Sequence, residues 1–242
     1  MTARECVSAF ALRSMACEPQ YLFISGLHHA GTSLVHLLLA KEPGVASLFN
    51  APSKMAEGHH LQNIWPRPAL REIDQCGPYP LSLCIPEMVR LVKSEAQQSS
   101  VRAALLAAWE PWWNQSNPGA VLRIEKDPDL GSAFLKAKVF PSASSTFLLV
   151  MRHPYYSHRD FFTQCNNALE CLSLWATVWV HVAARLDQLS TYAILRYEDL
   201  MSGKWDSFAQ DLFATLPASV CGSTGLRRSL NGYGFRETPR VG

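Results

Sequence analysis

Short apolar runs alternate along this chain with longer segments of helical spacing, the pattern of strands separated by helices. Tyr21 to Ile24 is a continuous apolar run that reads as a buried strand, and Ser33 to Lys41 places apolar residues at helical spacing among good helix formers. Val45 to Phe49, opened by Pro43-Gly44, predicts a second strand. Asn50 to Trp65 is polar and aperiodic and reads as a functional loop, and Pro66 to Pro86 is rich in proline and turn residues. Glu87 to Glu110 predicts a helix with a break at Gln97 to Ser100 and an end at Pro111-Trp112-Trp113. Val121 to Lys126, Thr146 to Met151 and Thr191 to Leu195 predict further strands, interleaved with helices over Asp129 to Phe140 and Ala168 to Leu189. In the last helix Leu172, Trp175, Trp179, Val182 and Leu186 mark the face expected to be buried.

Strands that alternate with helices imply an α/β fold: three layers of P-loop type, with a mostly parallel five-stranded sheet flanked by helices and the first strand internal. A chain of 242 residues has room for one such domain and not for a second of normal size. Residues 21–242 are therefore expected to form a single domain behind a poorly ordered extension, residues 1–20.

The apolar fraction of 48% against 17% charged residues is that of a packed protein rather than a disordered one. A net charge of +2 gives no general attraction to nucleic acid, so anion binding must come from local placement of cations and amides. No run approaches the roughly 20 apolar residues of a membrane span, and Met1 to Gln20 lacks the apolar core of a signal peptide. As written the chain reads as soluble, without a transmembrane segment. Seven cysteines with no C-x-x-C pair argue against zinc. Cys165 and Cys171 could bridge locally, but ordinary thiols are the favoured reading, and the compartment stays open.

The chemistry begins where the first strand ends. Gly26 and Gly31 stand at the spacing of a phosphate-binding loop, in which backbone N–H groups and a helix N-terminus face an anion. Gly26, His28, His29, Ala30, Gly31, Thr32 and Ser33 are the candidate phosphate-binding residues. Thr32 occupies the position of the usual loop lysine, and phosphoryl transfer from ATP needs that lysine together with magnesium. In the aperiodic loop Glu57-Gly58-His59-His60 supplies a carboxylate and two imidazoles, groups suited to removing a proton from an attacking hydroxyl. Lys126-Asp127-Pro128 follows the third strand and Arg152-His153-Pro154 the fourth. An arginine suits a terminal phosphate because its planar fork donates two parallel hydrogen bonds.

The string from Gly26 to Leu34, G-x-x-x-A-G-T-S-L, resembles the 5′-phosphosulfate loop of the sulfotransferases, with His29 where that family usually has Lys or Arg. The order Lys-Asp-Pro, helix, Phe-Pro, strand, Arg-His-Pro resembles the middle of the tyrosylprotein and carbohydrate sulfotransferases, and Arg196-Tyr197-Glu198-Asp199-Leu200 is similar to the string that closes their last core strand. The resemblance covers about Tyr21 to Leu200. It implies transfer of a sulfuryl group from 3′-phosphoadenosine 5′-phosphosulfate (PAPS) to a hydroxyl, or less commonly an amine, with no metal. Glu57 would be the base, with His59 or His60 in reserve, and Lys126 and His29 would stabilise the leaving phosphate. Arg152 and a late basic residue, Arg227 or Arg228, would meet the 3′-phosphate. The family places a serine eight residues after the arginine, where this chain has Asp160, with Ser157 nearby.

The implied acceptor is a carbohydrate, a protein tyrosine or a small hydroxylated molecule, and many such enzymes act in the Golgi lumen behind an N-terminal anchor. Two other classes keep the loop and change its use. A nucleotide kinase with a degenerate loop would require ATP and magnesium, and a non-catalytic relative would bind nucleotide or a partner without transfer.

Overall fold

The structure, a computed structural model, describes residues 19–52, 54–62, 92–154 and 167–216. Strands β1 (Gln20–Gly26), β2 (Val45–Ser47), β3 (Leu122–Asp127), β4 (Ser145–Met151) and β5 (Tyr192–Arg196) form one sheet in the order β2-β3-β1-β4-β5. Every pairing is parallel, so the α/β expectation holds and the first strand is central. The described helices are α1 (Thr32–Leu39), α2 (Glu95–Ser116), α3 (Leu130–Val139), α4 (Ala168–Ala183), α5 (Tyr197–Met201) and α6 (Trp205–Thr215).

Successive residues of β1 explain the two helical layers. Tyr21 and Phe23 pack with Trp109, Trp113, Phe134, Phe140 and Val178 on the face covered by α2, α3 and α4. Leu22 and Ile24 pack with Val35, Leu39, Leu200 and Leu212 on the face covered by α1, α5 and α6. Because side chains alternate across a strand, a strand covered on both faces needs an unbroken apolar run, and β1 has one. The chain leaves β1 toward β2 on one side and later returns to β4 on the other. This reversal is a topological switch point, and open α/β sheets carry their ligands at the carboxyl ends of the strands there.

Three local expectations are corrected. The break at Gln97 to Ser100 is instead a helix start: Ser94 Oγ accepts from Gln97 N at 3.3 Å, and Gln97 Oε1 accepts from Ser94 N at 3.1 Å. The same helix runs through Pro111 to Ser116. An internal proline costs about 3 kcal/mol, whereas burying an aromatic side chain of 150–250 Å² contributes about 4–6 kcal/mol. Trp109 and Trp113 flank the proline and are both fully buried, so packing overrides the break. In α4 the fully buried residues are Cys171, Leu174, Val178 and the expected Val182; Trp175 and Trp179 pack partly buried against the same core, and Leu172 is exposed. That helix also ends at Ala183, followed by a short turn over Leu186–Gln188.

Cys171 is disulfide-bonded, contrary to the reading of ordinary thiols, and its partner lies outside the described residues. Residues 1–18 of the expected N-terminal extension also lie outside them, while Gln20 already belongs to β1. No helix among the described residues is long and apolar enough to cross a membrane.

Candidate functional site

The loop from β1 to α1 is built from two backbone positions in the left-handed region, His29 at φ 64° and Gly31 at φ 97°. Glycine is required at 31 for a second reason, since a Cβ there would run into the ring of Tyr197. Gly31 is the N-cap of α1 and supplies no side-chain cap, so the first amides of the helix are not capped in that way. Ala30 and Thr32 are buried beneath the turn, His28 and Ser33 are half-buried, and the His29 side chain is exposed.

Lys126 meets this loop from the neighbouring strand. It pairs in register with Ile24, is fully buried, and its Nζ donates to Ser33 Oγ at 3.1 Å and to Glu57 Oε1 at 2.9 Å. Glu57 arrives through a tight turn in which Met55 and Ala56 have φ 63° and 57°, and it forms a parallel bridge with Lys126 beyond the end of β2. The extension of the sheet edge by one residue sets the two side chains together. Burial, and next the Lys126 charge, depress the pKa of His36 on α1 to about 3, so this imidazole is neutral beneath the site.

Strand alternation sends the neighbours of Lys126 to the opposite face. There Lys136 of α3 donates to Glu125 Oε2 at 2.5 Å and stands 3.6 Å from Asp127 Oδ2. Burial acts to raise Asp127, but the Lys136 ammonium and the His59 ring outweigh it and hold this carboxyl well below the usual range. With one ammonium shared between two carboxylates, burial leaves Glu125 raised. Lys136 is itself raised, because Glu125 and Asp127 more than offset its burial.

His59 joins the two faces: Nε2 lies 3.4 Å from Glu57 Oε2, and Nδ1 lies 3.2 Å from Asp127 Oδ1. His60 Nε2 is 3.3 Å from the same Glu57 Oε2. The turn holding these residues is fastened by Trp109, whose Nε1 donates to the Gly58 carbonyl at 3.0 Å. Gly58 packs directly on the Glu125 side chain with no room for a Cβ.

Arg152, at the end of β4, donates through Nη1 to the His29 carbonyl at 2.9 Å and lies 4.5 Å over the Tyr197 ring. Trp175 Nε1 fixes the Arg152 carbonyl at 3.1 Å. Glu198 does not cap its own helix by hydrogen bonding; its Oε1 accepts from His153 N at 2.9 Å and so ties the α5 string to the Arg152 turn.

The structure thus brings together Glu57, Lys126 and Ser33, and separately Arg152 and the backbone of His29. Arg227, Arg228, Ser157 and Asp160 lie outside the described residues. Sequence reasoning missed Lys136, Glu125 and Tyr197 as supports of the site. For Tyr197 a signal existed in its place directly after a strand, but Lys136 is an unremarkable residue within a helix pattern. Trp113 is core, with Nε1 donating to the Ile124 carbonyl at 2.9 Å, and Trp112 packs partly buried against that core.

Fold and site together define an α/β protein with a glycine-bounded loop, a buried lysine and a carboxylate at the carboxyl edge of a five-stranded parallel sheet. No protein-family model matches the chain, and a search of curated proteins finds no significant match.

Proposed function

We propose that this chain is a sulfotransferase that moves a sulfuryl group from PAPS to a hydroxyl, or less commonly an amine, by in-line displacement. The observation that carries the reading is Lys126 Nζ held between Ser33 Oγ and Glu57 Oε1. A cation absent from the loop itself is supplied from β3 to the first turn of α1, where a terminal phosphate would lie against the amides of residues 26–33.

The acceptor oxygen would attack sulfur as its proton passes to Glu57, while the sulfur–oxygen bond to the donor breaks. The electron pair of that bond leaves on the phosphate of adenosine 3′,5′-bisphosphate, stabilised by Lys126 with His29 nearby on the loop. In the resting site Glu57 is paired with Lys126, and a bound donor would draw the ammonium to the bridging oxygen and release the carboxylate to act as base. Arg152 would meet the 3′-phosphate from its place against His29. The scheme needs no metal for the transfer, and its acceptor is a carbohydrate, a protein tyrosine or a small hydroxylated molecule. The disulfide at Cys171 suits an oxidising compartment such as the Golgi lumen.

Calorimetric titration with adenosine 3′,5′-bisphosphate and with ATP tests the donor site without an acceptor. The bisphosphate is expected to bind without magnesium and more tightly than ATP. Tighter, magnesium-dependent binding of ATP would instead support a kinase with a degenerate loop.

A further inference from the structure

We propose that Glu57, His59 and His60 form a binding site for one divalent metal ion of the zinc class. Glu57 Oε2 lies 3.4 Å from His59 Nε2 and 3.3 Å from His60 Nε2, and one ligand atom from each residue can be chosen so that all lie within 4.8 Å of one another. Zinc bonds to imidazole nitrogen and carboxylate oxygen are about 2.0–2.1 Å long, which puts neighbouring ligands of a tetrahedral ion about 3.3–3.4 Å apart. Both imidazole nitrogens therefore already stand from the Glu57 oxygen at the separation of groups that share an ion, and the third pair of ligand atoms lies within 4.8 Å.

His59 supplies the second observation. Its side chain is 9% exposed, yet Nε2 has no hydrogen-bond partner of adequate geometry among the described residues. A buried polar group left in that condition costs free energy, and an ion on Nε2 would satisfy it. The other nitrogen, Nδ1, faces Asp127 Oδ1 at 3.2 Å, the carboxylate–histidine arrangement that orients a metal-binding imidazole. Lys126 takes the far oxygen of Glu57, leaving Oε2 for the ion.

Mixed imidazole and carboxylate donors favour zinc over magnesium or calcium, which take oxygen ligands, and over copper(I), which takes thiolates. The His60 side chain is 33% exposed, so an ion can enter from that side and keep a position open to water. The site goes beyond the sulfuryl-transfer reading and does not depend on it. An ion on Oε2 would occupy the proposed base, so zinc is expected to inhibit any transfer that uses Glu57.

The test is direct binding to the metal-stripped full chain: Zn²⁺ in competition with a chromophoric chelator, and Co²⁺ followed by its visible absorption. The expected result is one ion per chain at micromolar affinity or tighter, with the intense cobalt bands of a tetrahedral site. His60→Ala alters a partly exposed ring and should keep the circular-dichroism spectrum while weakening binding by more than ~10-fold; Asp127→Asn should weaken it ~10-fold or more through His59. Absence of binding in this range overturns the site. So does a folded His60→Ala variant that binds as tightly as the parent, because the ion would then be held elsewhere. These readouts involve no turnover, so they stand or fall separately from the donor titration.

Discussion

Lys126 Nζ lies 2.9 Å from Glu57 Oε1 across 69 residues of sequence, and both side chains are buried. Removing one member of such a pair leaves the other charge without its partner, at a cost of about 3–5 kcal/mol. In the sulfuryl-transfer reading Lys126 also bears the charge of the leaving oxygen. Lys126→Ala is therefore expected to lower the turnover of labelled donor by at least ~10²-fold, a loss of the size seen when one preorganised charge-stabilising donor is removed. Unchanged turnover would end the assignment of Lys126. Denaturant unfolding of the same variant separates lost chemistry from lost fold.

Gly31→Ala tests the phosphate loop. Alanine at φ 97° costs about 1–2 kcal/mol in backbone strain, and its methyl group would also overlap the Tyr197 ring. The expected loss exceeds ~2 kcal/mol by urea denaturation. Adding Tyr197→Leu should recover the part due to the ring and not the part due to the backbone. Full recovery would mean that the left-handed turn is not required.

His36 predicts an acid-sensitive fold. Its pKa is depressed from 6.5 to about 3, with burial as the main cause and the Lys126 charge second, so the folded protein keeps the ring neutral where the unfolded chain protonates it. The unfolded state then binds the extra proton between these values, and stability falls as pH drops from about 6.5 toward about 3, by roughly 5 kcal/mol in all. Above that window the term has no effect. His36→Leu should flatten this part of the stability–pH profile by about one proton. A profile with unchanged slope would show that His36 is not the source.

Lys136 tests the buried charges on the other face. Lys136→Met is expected to destabilise by about 3–5 kcal/mol, since Glu125 and Asp127 both lose their ammonium. Pairing it with Glu125→Leu should recover much of that loss but leave the share due to Asp127. A single-variant cost below about 1 kcal/mol would mean that the pair behaves like an exposed one.

The elements were legible because their signals are local. The apolar run of β1 and the capping residues around Ser94 act within a few positions, although the second signals a helix start only when Gln97 is taken together with Ser94. Pro111 misled for the opposite reason: the local rule is sound, and the burial of Trp109 and Trp113 outweighs it. In α4 the choice between Leu172 and Cys171 as the inward face depends on how the helix is rotated against β1 and α3, and spacing alone fits both.

Residue types at strand ends marked Glu57, Lys126 and Arg152 as candidates, because a parallel sheet carries its ligands at that edge. Their partners could not be read in the same way. The Glu57–Lys126 bridge needs a turn with left-handed Met55 and Ala56, and the opposite placement of Lys126 and Asp127 becomes meaningful only once α1 and α3 cover different faces. Hydrophobic periodicity acts over a few residues and therefore specifies strands, helices and the α/β order. Ion pairs between distant segments depend on sheet register and layer packing, and these set Lys126 between Ser33 and Glu57.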